Sequence, residues 1–226
     1  LATNESELLT WKNRPGEIPD RHILTVCFSN PNKLWVGTRN NGVLLYDLIK
    51  DQFYNYQYNE FDEGSLVTEN AIRSMHLDRS GTLWFGTWGD GVSLLSTALQ
   101  KFTHYKYLPN VSGGLPSNWI TGITGDQNGN IWIGTKAGGL SKFDPLNKTF
   151  ENYFLDFART ENLTEITYVF CDSRDNLWIG TYANALYRYR PETGRRIHYS
   201  KGTTKHSVSQ NRISAIGELV PGEIVV

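Results

Sequence analysis

The sequence predicts an all-β protein, a β-propeller built of four-stranded antiparallel blades. Seven Trp, twelve Tyr and ten Phe make up 13% of the 226 residues, and 21 residues are Gly. Many aromatic residues beside many glycines are typical of short β-strands joined by tight turns. A motif of the form Leu/Ile-Trp-x-Gly-Thr also occurs four times, and its Trp residues are 49, 48 and 46 positions apart. A repeat of about 40 to 50 residues has the length of one propeller blade.

Each repeat divides into four short strands. An apolar first strand begins 12 residues before the Trp, and a polar turn leads from it to the second strand, which is the Trp motif itself. The third strand follows a Gly or Ala seven residues past the Trp, and the fourth carries a Tyr with the same three spacings as the Trp. The predicted blade repeats lie at approximately 23–58, 72–107, 120–154 and 166–200, and a further blade starts at 213–226.

The four motif Trp residues are predicted to pack between neighbouring blades. Alternation along the second strand puts Trp35 and Gly37 on one face and the aliphatic residues beside them on the other. Since one blade cannot bury both of its faces, its neighbours would have to cover them. A seven-bladed ring with this period needs roughly 336 residues. The chain is therefore interpreted as a partial propeller of four to five blades, part of a seven-bladed one, with a closed four-bladed ring as the alternative.

Charge and hydropathy exclude several classes of protein. The sequence has 22 Lys and Arg against 23 Asp and Glu, for a formal net charge of -1. It lacks the clustered basic residues of a nucleic-acid-binding surface. It also lacks the run of about 18 apolar residues that a membrane-spanning helix needs. Cys27 and Cys171 fit no metal-ligand spacing and are predicted to be buried free thiols.

The residue pattern gives no indication of catalysis. The five His residues form no close pair of the kind that binds zinc, and neither a phosphate-binding loop nor a nucleophile-elbow motif occurs. Three acidic residues in predicted loops, Glu69, Asp90 and Asp156, do not form the carboxylate pair of a glycosidase. The sequence therefore predicts a chain with no catalytic residues, no metal and no cofactor.

The third repeat identifies a family that the chain resembles. Residues 126–145 read DQNGNIWIGTKAGGLSKFDP, which resembles the two-component regulator propeller repeat. The resemblance covers four copies within residues 23–200. Two copies depart from it in their turns. The fourth has Ala183, Asn184 and Ala185 where the others have glycines, and the first has Ser29-Asn30-Pro31-Asn32 in place of the Asp turn.

The resemblance implies a sensor rather than an enzyme. Proteins of this family carry two seven-bladed propellers and a β-sandwich outside the inner membrane, and a histidine kinase, a receiver and a DNA-binding domain inside. They sense oligosaccharides and pass the signal to the kinase, which starts a phosphorelay. The resemblance therefore implies a periplasmic part of a hybrid two-component protein, without kinase chemistry of its own. Its expected partners are an oligosaccharide, the neighbouring domains of the parent chain and a second copy in a homodimer, and this part would not contact nucleic acid.

Candidate ligand-binding residues lie in the connections between strands. The turns after the Gly-Thr of each motif and the loops before each first strand share one end of the blades, and side chains that vary there on a repeated framework are candidates for recognition. These residues are Arg39, Trp88, Asp90, Trp119, Lys136 and Tyr182. Aromatic faces stack on sugar rings and polar side chains bind hydroxyls, while Lys136 and Arg39 would favour an acidic sugar.

Other interpretations of these residues remain open. Trp119 could fill the central channel, and Tyr182 could pack between blades. The same end of the blades could be a protein–protein interface anchored by Trp88 and Trp119, so a propeller scaffold is the alternative function. A third alternative is a propeller lyase related to streptogramin-inactivating enzymes, with His22 and His206 in the loops where a catalytic His would be needed.

Overall fold

The protein is built entirely of β-strands in the ranges that the computed structural model describes. These ranges are 22–59, 61, 65–66, 71–96, 101–109, 113–153, 165–203 and 207–226. Eighteen strands lie in these ranges and form five sheets, of which four have four strands and one has two. In each four-stranded sheet the strands follow one another in chain order and pair antiparallel. The predicted fold class, a propeller of four-stranded antiparallel blades, is confirmed.

The strands repeat with the period of the Trp motif. Blade 1 consists of β1 (Ile23–Asn30), β2 (Lys33–Thr38), β3 (Val43–Asp47) and β4 (Gln52–Tyr56). Blade 2 consists of β5 (Ile72–Leu77), β6 (Leu83–Thr87), β7 (Val92–Ser96) and β8 (Lys101–Tyr105). Blade 3 consists of β9 (Ile120–Gly125), β10 (Ile131–Thr135), β11 (Leu140–Asp144) and β12 (Thr149–Tyr153). Blade 4 consists of β13 (Ile166–Cys171), β14 (Leu177–Thr181), β15 (Leu186–Arg190) and β16 (Arg195–Tyr199), and a hairpin of β17 (Gly217–Val220) and β18 (Glu223–Val225) follows it.

The first strand of each blade lies innermost in the arc of blades. β1 packs against β5, β5 against β9, and β9 against β13. Each of these strands has a register shift at its second residue, where one extra residue opposes the partner strand. Such β-bulges bend a strand and re-aim the side chain that they carry. The bulged residues are Leu24, Arg73, Thr121 and Thr167.

The core lies between consecutive blades, where the motif Trp residues were expected. Trp35 of blade 1 is 4% exposed and packs with Ile72 and Phe85 of blade 2. The Gly two residues after the Trp makes this approach possible, because a Cβ on Gly37 would lie 2.8 Å from the Cγ2 of Ile72. The same contact recurs at the other interfaces. A Cβ on Gly86, Gly134 or Gly180 would meet Ile120, Ile166 or Ile213, respectively.

An Asp in the first turn of three blades holds the motif Trp. The indole N–H of Trp84, Trp132 and Trp178 donates to the carboxylate of Asp78, Asp126 and Asp172 at 2.8, 2.9 and 2.8 Å. Each carboxylate also accepts backbone N–H groups of its own turn. In blade 1 the hydroxyl of Ser29 takes the place of the carboxylate and accepts from Trp35 at 3.0 Å. Because the Asp lies six residues before the Trp, its carboxylate connects the turn to the buried indole.

Two expectations from the sequence differ from the structure. The first strand after blade 4 was expected to begin at Ile213, but β17 begins at Gly217. The backbone N–H of Ile213 instead donates to Thr181 of blade 4 at 3.1 Å, and its side chain is buried. Cys27 and Cys171 are free thiols, but they are half-buried rather than buried, and desolvation raises the pKa of both. The sequence also predicts a preceding outer strand at Leu8-Leu9-Thr10-Trp11, within residues 1–20, and this segment lies outside the described residues.

Candidate ligand-binding site

Each blade brings together the two connections in which the candidate residues lie. The residue after the Gly-Thr donates its backbone N–H to the carbonyl of the residue before the first strand. This bond joins Arg39 to His22 at 3.0 Å, Trp88 to Ala71 at 3.0 Å, Lys136 to Trp119 at 2.9 Å and Tyr182 to Glu165 at 3.1 Å. Since the first strands are innermost, these pairs lie at equivalent positions at the inner end of the blades. We call these eight residues, with Arg212 at the equivalent position before Ile213, the mouth row.

The turn after the motif has the same geometry in all four blades because of the Thr of the motif. In blade 3 the hydroxyl of Thr135 donates to the carbonyl of Gly139 at 2.9 Å and accepts the N–H of Gly138 at 2.9 Å. The equivalent Thr residues of the other three blades make the same pair of bonds. The Thr therefore fixes the turn in all four blades, while the side chain that follows it is left to vary.

Three of the predicted residues form one cluster across the interface between blades 2 and 3. The ring centroids of Trp88 and Trp119 are 5.3 Å apart at an interplanar angle of 68°, and the two backbones form an isolated β-bridge. The Nζ of Lys136 lies 5.6 Å from the centre of the Trp88 ring and 5.5 Å from that of Trp119. Trp119 is 43% exposed. It does not pack fully into the interior, so its ring is accessible at the mouth row.

The other predicted residues lie beside this cluster. Tyr182 is 50% exposed, and the guanidinium of Arg212 lies 5.2 Å from the centre of its ring. Asp90 forms an ion pair with Lys106 at 3.8 Å. Arg39 is exposed at the blade 1 position of the row. The structure thus brings Trp88, Trp119 and Lys136 together and places the rest on the same end of the blades.

Four charged residues of this region were missed by the sequence analysis. Arg73 lies with its guanidinium 5.1 Å from the centre of the Trp88 ring, and Glu165 pairs with Lys136 at 3.8 Å. Arg212 and Lys106 are the partners of Tyr182 and Asp90. The repeat itself could have identified Glu165 and Arg212, because each precedes an Ile at which the repeat predicts a first strand to begin, as Trp119 does. Arg73 could not have been found in this way, because its position depends on the β-bulge.

Among the described residues at this end of the blades, cations outnumber carboxylates, although the chain as a whole is nearly neutral. The described cations are Arg39, Arg73, Lys106, Lys136, Lys201 and Arg212, and the described carboxylates are Asp90 and Glu165. A cationic surface that carries aromatic rings can bind a ligand with both polar or anionic groups and apolar C–H faces. Of the other residues considered for chemistry, His22 belongs to the mouth row. Glu69, Asp156 and His206 lie outside the described residues.

A cavity of about 400 Å³ lies at the opposite end of the blades, away from the predicted residues. It is lined by residues of the first turns of blades 2 to 4, by residues of the adjoining strands and by Glu218, and Asp126 and Asp172 are among the turn residues. The carboxylates of these two residues already accept hydrogen bonds from their own turns and from Trp132 and Trp178. Because hydrogen bonds within the fold already occupy these carboxylates, we assign them a structural role. We therefore place the candidate ligand-binding site at the mouth row.

Within the described ranges, the structure has no helix that is both long and apolar enough to cross a membrane. In the same part of the chain, His, Cys, Asp and Glu side chains form no group of three or more that could hold a metal ion.

Comparison with known proteins identifies the repeat. The family model of the two-component regulator propeller matches residues 67–89, 114–137 and 160–183. None of the curated protein sequences matches the chain. The chain therefore carries repeats of this family, as the third repeat predicted.

Solved structures with the same fold include two from B. thetaiotaomicron. One is the extracellular domain of a candidate hybrid two-component system, with 23% identity and a TM-score of 0.57 over 93% of this chain and 32% of that one. The other is the extracellular domain of a candidate one-component system, with 19% identity and a TM-score of 0.58 over 93% and 33%. Virginiamycin B lyase from Staphylococcus aureus matches with 18% identity and a TM-score of 0.60 over 80% and 56%. At these identities the likeness shows the propeller fold alone, and the chain spans about a third of the two B. thetaiotaomicron domains.

Proposed function

Because the chain carries two-component regulator propeller repeats, we propose that it belongs to the periplasmic sensor region of a hybrid two-component protein. In this proposal the mouth row binds an oligosaccharide, and binding is relayed through neighbouring domains to a histidine kinase that starts a phosphorelay. The chain itself catalyses no reaction and uses no cofactor. The parent protein acts as a homodimer, and this part makes no contact with nucleic acid.

The contrast between a repeated framework and a varied mouth row carries the proposal. The Trp, Gly and Thr of the motif are the same in all four blades, since each packs against the next blade or fixes a turn. The next residue is Arg, Trp, Lys or Tyr in turn. Exposed aromatic residues at such positions, Trp119 at 43% and Tyr182 at 50%, gain little from folding and are typical of binding surfaces.

The site also suits the transmission of a signal. The mouth row runs from blade 1 to Arg212, so a ligand that contacts several of its residues would bridge consecutive blades. Ligand binding changes an equilibrium only if the ligand binds one arrangement more tightly than the other. A change in the angle between blades would alter contacts such as Trp88 with Trp119, which supports a mechanism in which the ligand selects one arrangement of the arc.

Binding to purified protein tests the proposal. The chain is titrated with a panel of neutral and acidic oligosaccharides by isothermal titration calorimetry. Trp119→Ala is expected to weaken binding of the best ligand at least tenfold, which corresponds to about 1.4 kcal/mol. Leu146→Ala is the matched control, because Leu146 is 93% exposed in the turn between β11 and β12, at the other end of the blades. The proposal is wrong if the panel shows no binding, or if Trp119→Ala binds as tightly as the wild type.

A protein interface at the mouth row is the second candidate. The exposure of Trp119 favours it, since Trp residues are frequent anchors of interfaces. Analytical ultracentrifugation of the intact extracytoplasmic region separates the two functions. If Trp119→Ala disrupts domain association or dimerisation while oligosaccharides fail to bind, the interface is the function of this surface.

A further inference from the structure

The aromatic rings of the mouth row are occupied by cations. The guanidinium of Arg73 and the ammonium of Lys136 lie 5.1 and 5.6 Å from the centre of the Trp88 ring. The ammonium of Lys136 lies 5.5 Å from the Trp119 ring, and the guanidinium of Arg212 lies 5.2 Å from the Tyr182 ring. All these distances are within the range of a cation–π contact. The rings therefore hold charged groups in place, and a sugar would have to displace those groups to stack on the same ring faces.

Most of these cations are not neutralised by described carboxylates. Two ion pairs occur at this end of the blades within the described ranges, Lys136 with Glu165 and Lys106 with Asp90, both at 3.8 Å. Neither pair involves Arg39, Arg73 or Arg212. Both pairs are also partly exposed, with 28% to 42% of their side-chain surfaces accessible. Exposed ion pairs are weak, so an anionic ligand could compete for the Lys residues as well.

From these contacts we propose that the ligand of the mouth row is an acidic oligosaccharide with carboxylate or sulfate groups on several of its sugars. This inference rests on the proposed function. Arginine binds carboxylate and sulfate through two parallel hydrogen bonds, and a guanidinium held against a ring is already oriented for them. The cations follow one another from blade 1 through blades 2 and 3 to Arg212, which suits a chain with repeated negative charges better than a single charged sugar.

Matched pairs of oligosaccharides test the role of charge. The first pair is a galacturonic acid oligomer and its fully methyl-esterified form, which differ in carboxylate charge. The second is a sulfated galactan oligomer and its desulfated form. The acidic member of at least one pair is expected to bind ten or more times as tightly as its neutral partner at 25 mM salt, and to lose much of this advantage at 200 mM, since salt screens exposed charges. The pair that shows the difference identifies carboxylate or sulfate as the anionic group.

Three variants test whether the named cations are responsible. Arg73→Gln and Arg212→Gln are each expected to weaken binding of the acidic oligomer at least fivefold. Arg188→Gln is the matched control, because the Arg188 guanidinium also stands over a ring, that of Trp178 at 5.8 Å, but lies on the third strand of blade 4 away from the mouth row. Thermal melting of each variant shows whether it remains folded. Both arginine variants should keep the wild-type melting temperature within the range that Arg188→Gln shows.

The outcomes separate this inference from the function on which it rests. If neutral and acidic oligomers bind equally well, the charge inference is overturned while oligosaccharide binding stands. If no oligosaccharide binds, neither these pairs nor any member of the wider panel, both are overturned. Equal weakening by Arg188→Gln would show that affinity follows net charge alone, and this would overturn the assignment of Arg73 and Arg212.

Discussion

Replacing Asp172 with alanine removes the acceptor that joins the first turn of blade 4 to its Trp. The carboxylate accepts from the backbone N–H groups of Arg174 and Asn176 at 3.0 and 2.8 Å, and from the Asn176 amide. It also accepts from the indole of Trp178 at 2.8 Å. Asp172 is 5% exposed, and Asn176 and Trp178 are 5% and 8% exposed. These two residues would keep donors that bulk water does not reach directly.

The expected loss of stability is about 3 kcal/mol. Each buried donor left without a partner costs about 1 to 3 kcal/mol, and such costs do not add fully. The N–H of Arg174 can turn to solvent, and the 400 Å³ cavity beside Asp172 can admit water to part of the site. Both effects make the loss of stability smaller than the sum of the separate costs. For a domain of this size, about 3 kcal/mol lowers the melting temperature by about 6 to 12 °C. Asp172→Asn keeps one acceptor oxygen and should lose less.

The effect should depend on pH. Burial opposes the ionisation of Asp172, but hydrogen bonds from Trp178, Asn176 and Arg174 outweigh it and lower the pKa of the carboxyl group. A lowered folded-state pKa adds stability above the unfolded value of about 4, and this stability is lost as the pH falls through the folded-state pKa. The wild type should therefore lose more stability than Asp172→Ala as the pH falls from about 5, one unit above the unfolded value, through the folded-state pKa.

Urea denaturation followed by tryptophan fluorescence, with calorimetry, measures the loss. Asp144→Ala is the control, because Asp144 also accepts backbone N–H groups of a turn but bonds to no Trp among the described residues. Neutral surface substitutions typically change the free energy of unfolding by no more than about 0.5 kcal/mol. If Asp172→Ala differs from the wild type by no more than this, the Asp–Trp hydrogen bond does not stabilise the fold as argued.

Further predictions concern the turns, the blade interfaces and the lyase alternative. Ala185 has a φ of 58° but is 1% exposed, so Ala185→Gly relieves about 1 kcal/mol of strain and loses a buried methyl worth about as much, and its melting temperature should stay near that of the wild type. Gly91→Ala should lower the melting temperature, since the added Cβ would collide with the Tyr105 carbonyl oxygen. Unchanged melting of Gly91→Ala would contradict this. Gly134→Ala should cost about 1 to 3 kcal/mol in urea denaturation, because its Cβ would lie 2.8 Å from the Cγ2 of Ile166 in the next blade. Virginiamycin B should survive incubation with the chain; breakdown that is lost in His22→Ala would favour a lyase.

Much of the fold could be predicted because its interactions are local and repeat. A first strand that starts 12 residues before each Trp and a Tyr that keeps the same spacings locate the strands of a blade. The third strands begin where the sequence predicted, directly after the Gly or Ala seven residues past each Trp. Hairpin register depends on turn residues and on alternation, both of which are written in the sequence. The start of β17 was missed because Ile213 bonds to blade 4, a contact between elements that no local pattern shows.

The sequence by itself determined the blade, its turns and the end of each blade where variable side chains gather. Tertiary structure decided which of those side chains meet. Trp88 and Trp119 come from different repeats and touch because consecutive blades curve around the first strands, and Arg73 reaches the Trp88 ring from the bulged position of β5. The angle between blades and the direction of a bulged side chain arise from packing of whole sheets. The sequence could therefore name the candidate residues, but the ring–cation contacts that define their chemistry appeared only in the fold.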